Sequence, residues 1–392
     1  MKNRFARRLF IVSIALLLVF SVLGASAAKV SDSQLNSWLR KAKLDKYTPA
    51  KTDYDALYAA AKLEKKVVVY SVSSRIPEVK KTFEAQYPGV TVETYDMASA
   101  DIVTKIMKEQ DAGIFNMDVV LNEDPSLMIG NLLANKYIWN FVPSDLATKV
   151  PKNLANPLLT CYVTARVVLY NTEVNQSCPI KSWWDLTTEK YKGKVLLKDP
   201  MLSAANMMFL VAITQHADAF AKDYEKVFGK KIALTTPNAG YEFIKALVKN
   251  GLVLTKSDGD ISKAVGTKGQ TDPPIGMTAF DKMREVGQKG YKMAYAKGIS
   301  PIEGMNSPTY LGIGTLSPHP NAAKLFIRWI MGDEKGGQGA VPFYEPGCIM
   351  GRADVPPPAG TPTLAERNMW NPDVNAILKD YQKVTDFWLS LQ

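Results

Sequence analysis

Histidine and cysteine are nearly absent: the 392 residues contain two histidines, His216 and His319, and three cysteines, Cys161, Cys178 and Cys348. So small a supply removes most hydrolytic and metal chemistry, and neither a Gly-x-Ser-x-Gly elbow, a His-x-x-Glu-His pair nor a Cys-x-x-Cys pair occurs. Adjacent carboxylates such as Glu123 and Asp124 arise by chance too often to mark a glycosidase. Nothing therefore indicates an enzyme, a cofactor or a metal site. A glycine-rich phosphate fingerprint is also missing; residues 265–270 lack P-loop spacing and read as a surface loop. There is no internal repeat, no low-complexity tract and no basic run beside aromatics, so nucleic acid is not an expected partner.

What is present begins with an export signal. Lys2, Arg4, Arg7 and Arg8 form a basic start, Leu9 to Leu23 is apolar apart from Ser13 and Ser21, and Ala25-Ser26-Ala27 is a cleavage pattern. The apolar run is shorter than the roughly 20 residues that span a bilayer, so cleavage after Ala27 is expected rather than anchoring. The mature chain of 365 residues is long enough for two lobes with separate cores. Of the net charge of +10, the four signal-peptide cations contribute four, which leaves a mild excess spread along the chain. In an oxidising compartment Cys161 and Cys178, which bracket a strand-like run, form a candidate disulfide with Cys348 left over; three reduced core cysteines are the alternative.

The chain is organised around 66–96. Val67-Val68-Val69-Tyr70 is a β-branched apolar run that predicts a buried parallel strand. A helix follows, with Pro77 in its first turn, Ser73 or Ser74 as cap, and Val79, Phe83 and Tyr87 on one face. Val90 to Tyr95 alternates into a second strand, which completes a βαβ unit. Before it, Ser31 and Asp53 begin two helices that preface the first lobe. After it come a helix opened by Ser99 and a strand from Phe115 to Leu121 that ends at Asn122-Glu123-Asp124-Pro125.

A long strand-forming run, Cys161 to Tyr170, then leads into a second α/β lobe that starts near Ser182. The predicted strand Val195 to Lys198 precedes a helix begun by Ser203, helices are expected at 217–227 and 239–249, and the strand 274–277 ends at Thr278-Ala279-Phe280-Asp281. A return strand at Tyr310 to Gly314, an amphipathic helix over 321–331 and a terminal helix from Pro372 to Leu391 complete the chain. The fold class is α/β: two doubly wound lobes joined by crossover hinge strands. The expected organisation is signal 1–27, helical extension 28–65, first lobe 66–160, hinge 161–181, second lobe 182–277, and 278–392 returning to the first lobe.

In such sheets ligands gather beyond the carboxyl ends of strands, near helix N-termini. That rule selects Ser73, Ser74 and Arg75, then Ser99, then Asn122, Glu123 and Asp124, and in the second lobe Ser203 and Asn206. Arg166 stands out on its strand and either faces the cleft or pairs with an acid across the hinge. Each serine and Asp124 also has a structural reading as a helix cap, and Trp183-Trp184 reads as packing.

The order of elements, with Val168-Leu169-Tyr170-Asn171-Thr172, Trp183-Trp184-Asp185-Leu186, Tyr191-Lys192-Gly193-Lys194, Asp199-Pro200 with Ser203, 318–327, and Met350-Gly351-Arg352-Ala353-Asp354-Val355, resembles the ferric-ion-binding branch of type II two-lobed periplasmic solute-binding proteins. The resemblance runs from about Lys66 to Pro358. It implies a periplasmic, monomeric protein that closes on a small-molecule solute and delivers it to an inner-membrane ABC permease with a cytoplasmic ATPase. Iron-binding members of the branch carry adjacent tyrosines just after the strand that here ends at Met277. This chain has Thr278-Ala279-Phe280-Asp281-Lys282 there, so Thr278 and Asp281 are the candidates at that position, and the oxygens a hard cation needs are few. Relatives in the branch bind phosphorylated sugars or aminophosphonates, which suits Ser73, Ser74 and Arg75 as receivers of an anion. A ferric-ion importer and a ligand sensor for a receptor ectodomain remain the alternatives.

Overall fold

The computed structural model describes residues 30–332 and 338–392, so the expected export signal at 1–27 lies outside the described residues. Helix α1 (Asp32–Ala42) starts at a capping box between Ser31 and Gln34, and α2 (Tyr54–Glu64) is capped by Asp53. Their apolar faces, with Leu35, Leu39, Leu57 and Ala61, are buried in the core of the first lobe.

Strand β1 (Lys66–Ser71), helix α3 (Ile76–Gln86) and strand β2 (Thr91–Asp96) form the expected βαβ unit, with β1 and β2 parallel from Lys66↔Thr91 to Ser71↔Asp96. Neither Ser73 nor Ser74 caps α3. The turn closes instead through Ile76 N–H to the Ser73 carbonyl, while the Ser73 hydroxyl accepts from Arg75 N–H. Helix α4 (Ser99–Asp111) leads to β3 (Val119–Asn122), parallel to β1. That strand begins at Val119 rather than Phe115. Asp118 spends its carboxylate on Val68 N–H, Ser317 and His319, which ends the ladder there.

A π-helical segment at Ser126–Leu133, β4 (Ile138–Trp139) and α5 (Lys152–Ala155) precede the long β5 (Leu159–Asn171). The second lobe contains β6 (Val195–Lys198), α6 (Ala204–Gln215), α7 (Ala217–Phe228), α8 (Ala239–Lys249), β7 (Val253–Thr255), α9 (Asp258–Gly266), β8 (Ile275–Ala279), α10 (Arg284–Lys289) and β9 (Met293–Tyr295). The chain returns through β10 (Gly304–Gly314), α11 (Pro320–Ile330), β11 (Ile349–Met350), β12 (Met369–Trp370) and α12 (Val374–Ser390). The stretch 265–270, expected as a loop, begins inside α9.

Among the described residues eight strands form one path, β2-β1-β3-β10-β5-β8-β6-β7, and off it β4 and β12 pair with β10, and β9 and β11 with β5. Strands β5 and β10 are antiparallel and are shared by the two lobes. The end of β10, Tyr310 to Ile313, pairs with β3, whereas Arg166 to Leu169 of β5 pairs with β8. Each lobe has its own core, one around Val67, Phe83 and Phe326, the other around Trp183, Met208 and Phe243. Trp183 and Trp184 are packing residues, with indole N–H groups on the carbonyls of Ile302 and Phe220. Helix α12 touches both lobes: Gln215 of α6 donates to its Ala376 carbonyl, and Leu378 fills the space beside Gly130 of the π-helical segment. No helix among the described residues is long and apolar enough to cross a membrane.

The Cys161–Cys178 disulfide is not formed; all three cysteines are free. Strand β5 explains this. Cys161 to Asn171 spans roughly 33 Å of extended chain, and the seven residues beyond reach back by roughly 24 Å at most.

Candidate functional site

The carboxyl ends of β1, β3, β6 and β8 converge on the middle of β5 and enclose a cavity of about 120 Å³ between the lobes. From the first lobe it is lined by Ser73, Ser74, Arg75, Ser99 and Glu123, from β5 by Tyr162, Thr164 and Arg166, and from the second lobe by Lys198, Leu202, Asp258 and the 279–284 segment. Five cationic side chains, Arg75, Arg166, Lys198, Lys282 and Arg284, face three acids, Glu123, Asp258 and Asp281. The cavity wall is therefore net positive.

Two arginines tie the lobes together. Arg75 Nη2 lies 3.0 Å from Asp281 Oδ2 and donates to the Tyr162 hydroxyl at 3.2 Å; its Nε donates to Ser73 Oγ, and its guanidinium lies about 5 Å from the rings of Tyr162 and Phe343, which stack on each other. The fork read from sequence as free for an anion is thus largely occupied by the protein itself. Arg166 bridges the cleft from the hinge, with Nη1 2.9 Å from Asp258 and Nη2 3.2 Å from Glu123. It both faces the cavity and pairs with acids across the hinge, while its Nε is buried without a partner among the described residues.

Asp258 and Asp281 hold their charge. Burial pushes the Asp281 carboxyl up, but Arg75 and Arg284 outweigh it and hold it below the ordinary carboxylate range. For Asp258 the same contest is won by Arg166, Lys198 and Lys282, helped by a hydrogen bond from Thr278 Oγ1 at 2.8 Å. The Lys198 ammonium makes no hydrogen bond or close ion pair among the described residues and borders the cavity from the end of β6. Ser99 Oγ is buried at the start of α4 with no partner among the described residues, and it lines the cavity from the opposite lobe. Two buried polar atoms without partners in a charged cavity are unusual enough to need a reason.

Of the residues selected from sequence, Ser73, Ser74, Arg75, Ser99, Glu123, Arg166 and Asp281 line this cavity. The others stand behind it. Asn122 donates to the Ser99 carbonyl, Asp124 caps Ser126 and Leu127, Ser203 caps α6, Asn206 donates to the Lys198 carbonyl, and Thr278 holds Asp258. Lys198, Asp258, Lys282, Arg284, Tyr162 and Thr164 were not selected from sequence. Lys198 ends a strand by the same rule that chose Ser73, and Lys282 and Arg284 directly follow Asp281, so those signals were available. Asp258 follows no strand end that the sequence predicts and reaches the cavity only because α9 starts there.

Structural comparison finds the same two-lobed type II architecture in iron-bound HitA from Pseudomonas aeruginosa (TM-score 0.65, 15% identity, 83% of this chain and 99% of that one). It is found also in AfuA from Actinobacillus pleuropneumoniae with fructose-6-phosphate bound (0.63, 15%, 83% and 98%). Apo ferric ion-binding protein A from Pasteurella haemolytica is similar too (0.63, 18%, 83% and 98%). Identities this low speak for the fold alone. A search of curated sequences finds no match. The sequence model for bacterial extracellular solute-binding proteins matches residues 78–338, well over half the chain. With that match and the two-lobed architecture around an inter-lobe cavity, the chain belongs to the bacterial extracellular solute-binding proteins.

Proposed function

We propose that this protein captures a small anionic solute, phosphorylated or carboxylated, between its lobes in the periplasm and delivers it to an ABC importer. One observation carries the reading: a net-positive inter-lobe cavity in which, among the described residues, buried Ser99 Oγ and Arg166 Nε have no partner and the Lys198 ammonium has no hydrogen bond or close ion pair. An anion would accept from Ser99 on one lobe and Lys198 on the other, with Arg166 Nε beneath it. Contacts to both lobes exist only when they are close, so the solute favours the closed arrangement by its differential contacts. Strands β5 and β10 are the hinge in this reading, and the lobes divide at about residues 161–181 and again between β9 and β10.

A ferric ion is the rival solute, as in the iron-bound neighbour. The three acids lining this cavity are each close to an arginine, and its one tyrosine, Tyr162, accepts from Arg75, so a cation would have to displace arginines from its ligands.

The test is thermal unfolding of the exported chain against fructose 6-phosphate, an aminophosphonate, citrate, and ferric ion with and without citrate. A specific solute at about a hundred times its dissociation constant adds roughly 2.7 kcal/mol. The expected result is a shift with an organic anion that Lys198→Ala and Ser99→Ala each reduce. A shift with ferric ion alone would replace this reading by the iron one.

A further inference from the structure

A second cavity, of about 220 Å³, lies where the N-terminal extension meets the first lobe. Its cationic side is Lys43, Lys51 and Lys324, and its apolar side is Ala56, Leu57, Ala60 and Phe141. One acid, Asp53, also lines the cavity, and both it and nearby Glu64 accept from backbone N–H groups at helix ends. Asp53 accepts from the N–H groups of Asp55 and Ala56 at the start of α2, and Glu64 accepts from Asn321 and Ala322 at the start of α11. Lys324 is buried, 3% exposed, and its ammonium has one hydrogen bond among the described residues, 2.7 Å to the Ala42 carbonyl. An ammonium has three N–H donors, so two remain. Lys43 and Lys51 are exposed, with no side-chain hydrogen bond or close ion pair among the described residues.

A buried cation normally has a carboxylate beside it, since removing its hydration is costly. Here no carboxylate makes a close pair with it among the described residues: burial and, after it, neighbouring Lys43 pull the Lys324 amine down to about 8, and Glu64 offsets them only in part. Donation to Ala42, the last residue of α1, explains one of its hydrogens through the helix C-terminus. It explains neither the open cavity nor the other two lysines.

We propose that this cavity is a second binding site, which takes a small organic carboxylate with its head among Lys43, Lys51 and Lys324 and its apolar body against Leu57 and Phe141. The extension supplies most of the lining and lies ahead of the stretch matched by the family's sequence model. The site is separate from the inter-lobe cavity and does not depend on what binds there.

The experiment is calorimetric titration with benzoate at constant ionic strength, using the whole exported chain, the cleft variant Lys198→Ala, and the double variant Lys43→Gln/Lys51→Gln. Both substituted lysines are exposed, so folding is preserved, as circular dichroism would verify. Saturable binding is expected in the wild type and in Lys198→Ala, weakened about tenfold in the double variant, as two partly screened charge contacts allow. Absence of saturable binding overturns the proposal. So does loss of binding in Lys198→Ala with retention in the double variant, which would assign benzoate to the cleft. An equal response to inorganic phosphate would overturn the part given to the apolar wall.

Discussion

At the scale of single residues, the molecule places charge where burial makes it matter. Arg75 and Asp281 are both about nine-tenths buried and bring the first lobe against the β8 end of the second. Arg75→Met would leave Asp281 short of one of its two cations, Arg284 being the other at 3.1 Å. Breaking one arm of a buried pair costs about 3 kcal/mol, so chemical denaturation should show a loss of that order; an unchanged midpoint would mean that solvent reaches the pair. His319 behaves differently. Its Nδ1 lies 2.8 Å from Asp118, and this hydrogen bond raises its pKa above the ordinary 6.5 against the opposing effect of burial. A raised folded-state value stabilises the protein fully below the unfolded value and loses that stabilisation as pH rises through the folded one. Wild type should therefore lose thermal stability relative to His319→Gln as pH is raised from about 6 upward. Parallel pH profiles would dissociate His319 from stability.

Asp124 illustrates a group whose chemistry and position disagree. Burial raises its carboxyl to about 6, against the hydrogen bonds from Leu127 and Ser126, and one oxygen has no partner among the described residues. Because the folded value lies above the unfolded one, its contribution to stability falls as pH rises from about 4 through 6. Asp124→Asn should flatten the melting profile across that window while keeping the cap, and an unaltered profile would mean that the carboxyl is hydrated.

At the scale of elements, α9 is the least obvious part of the site and the easiest to disturb. It packs on β8 so closely that a Cβ at Gly276 would overlap the Ile261 side chain and press on Val265. Gly276→Ala should push α9 outward and with it Asp258, the residue at its start that anchors Arg166. Overpacking of this kind costs about 1–3 kcal/mol, and solute affinity should fall in parallel, measurable by titration at a temperature where the variant is fully folded. Loss of stability with wild-type affinity would separate α9 from the site. Strand β5 is the opposite case: every residue from Leu159 to Asn171 is buried, because the two lobes cover it from end to end.

At the scale of the whole molecule, the two lobes meet through β5, β10, α12 and the arginine bridges. The strands can bend without losing their ladders, whereas the bridges exist only when the lobes are close. Asp258→Asn combined with Asp281→Asn weakens both bridges at once, and small-angle scattering should report a larger radius of gyration than wild type. An identical radius would assign the lobe arrangement to α12 instead, since that helix holds Gln215 of one lobe and packs Leu378 against Gly130 of the other.

The alternation of apolar strands and amphipathic helices was legible along the chain, since the periodicity of Val67 to Tyr70 or of Ala322 to Ile330 depends only on which face each residue must bury. So was the rule that polar residues after β1, α4's start and β8 would meet, which brought Ser73, Arg75, Ser99 and Asp281 to one cavity. Which hydrogen bonds they make was decided by the tertiary structure alone. Arg75 reads in sequence as a free anion receiver, yet Asp281 stands 206 positions away and takes one arm of its fork. Lys324 reads as one more polar residue on an amphipathic helix, yet α1 and α2 fold over it and strip its solvent. Periodicity reports the environment a residue needs, whereas the partner it meets depends on how distant segments pack, and no local pattern contains that distance.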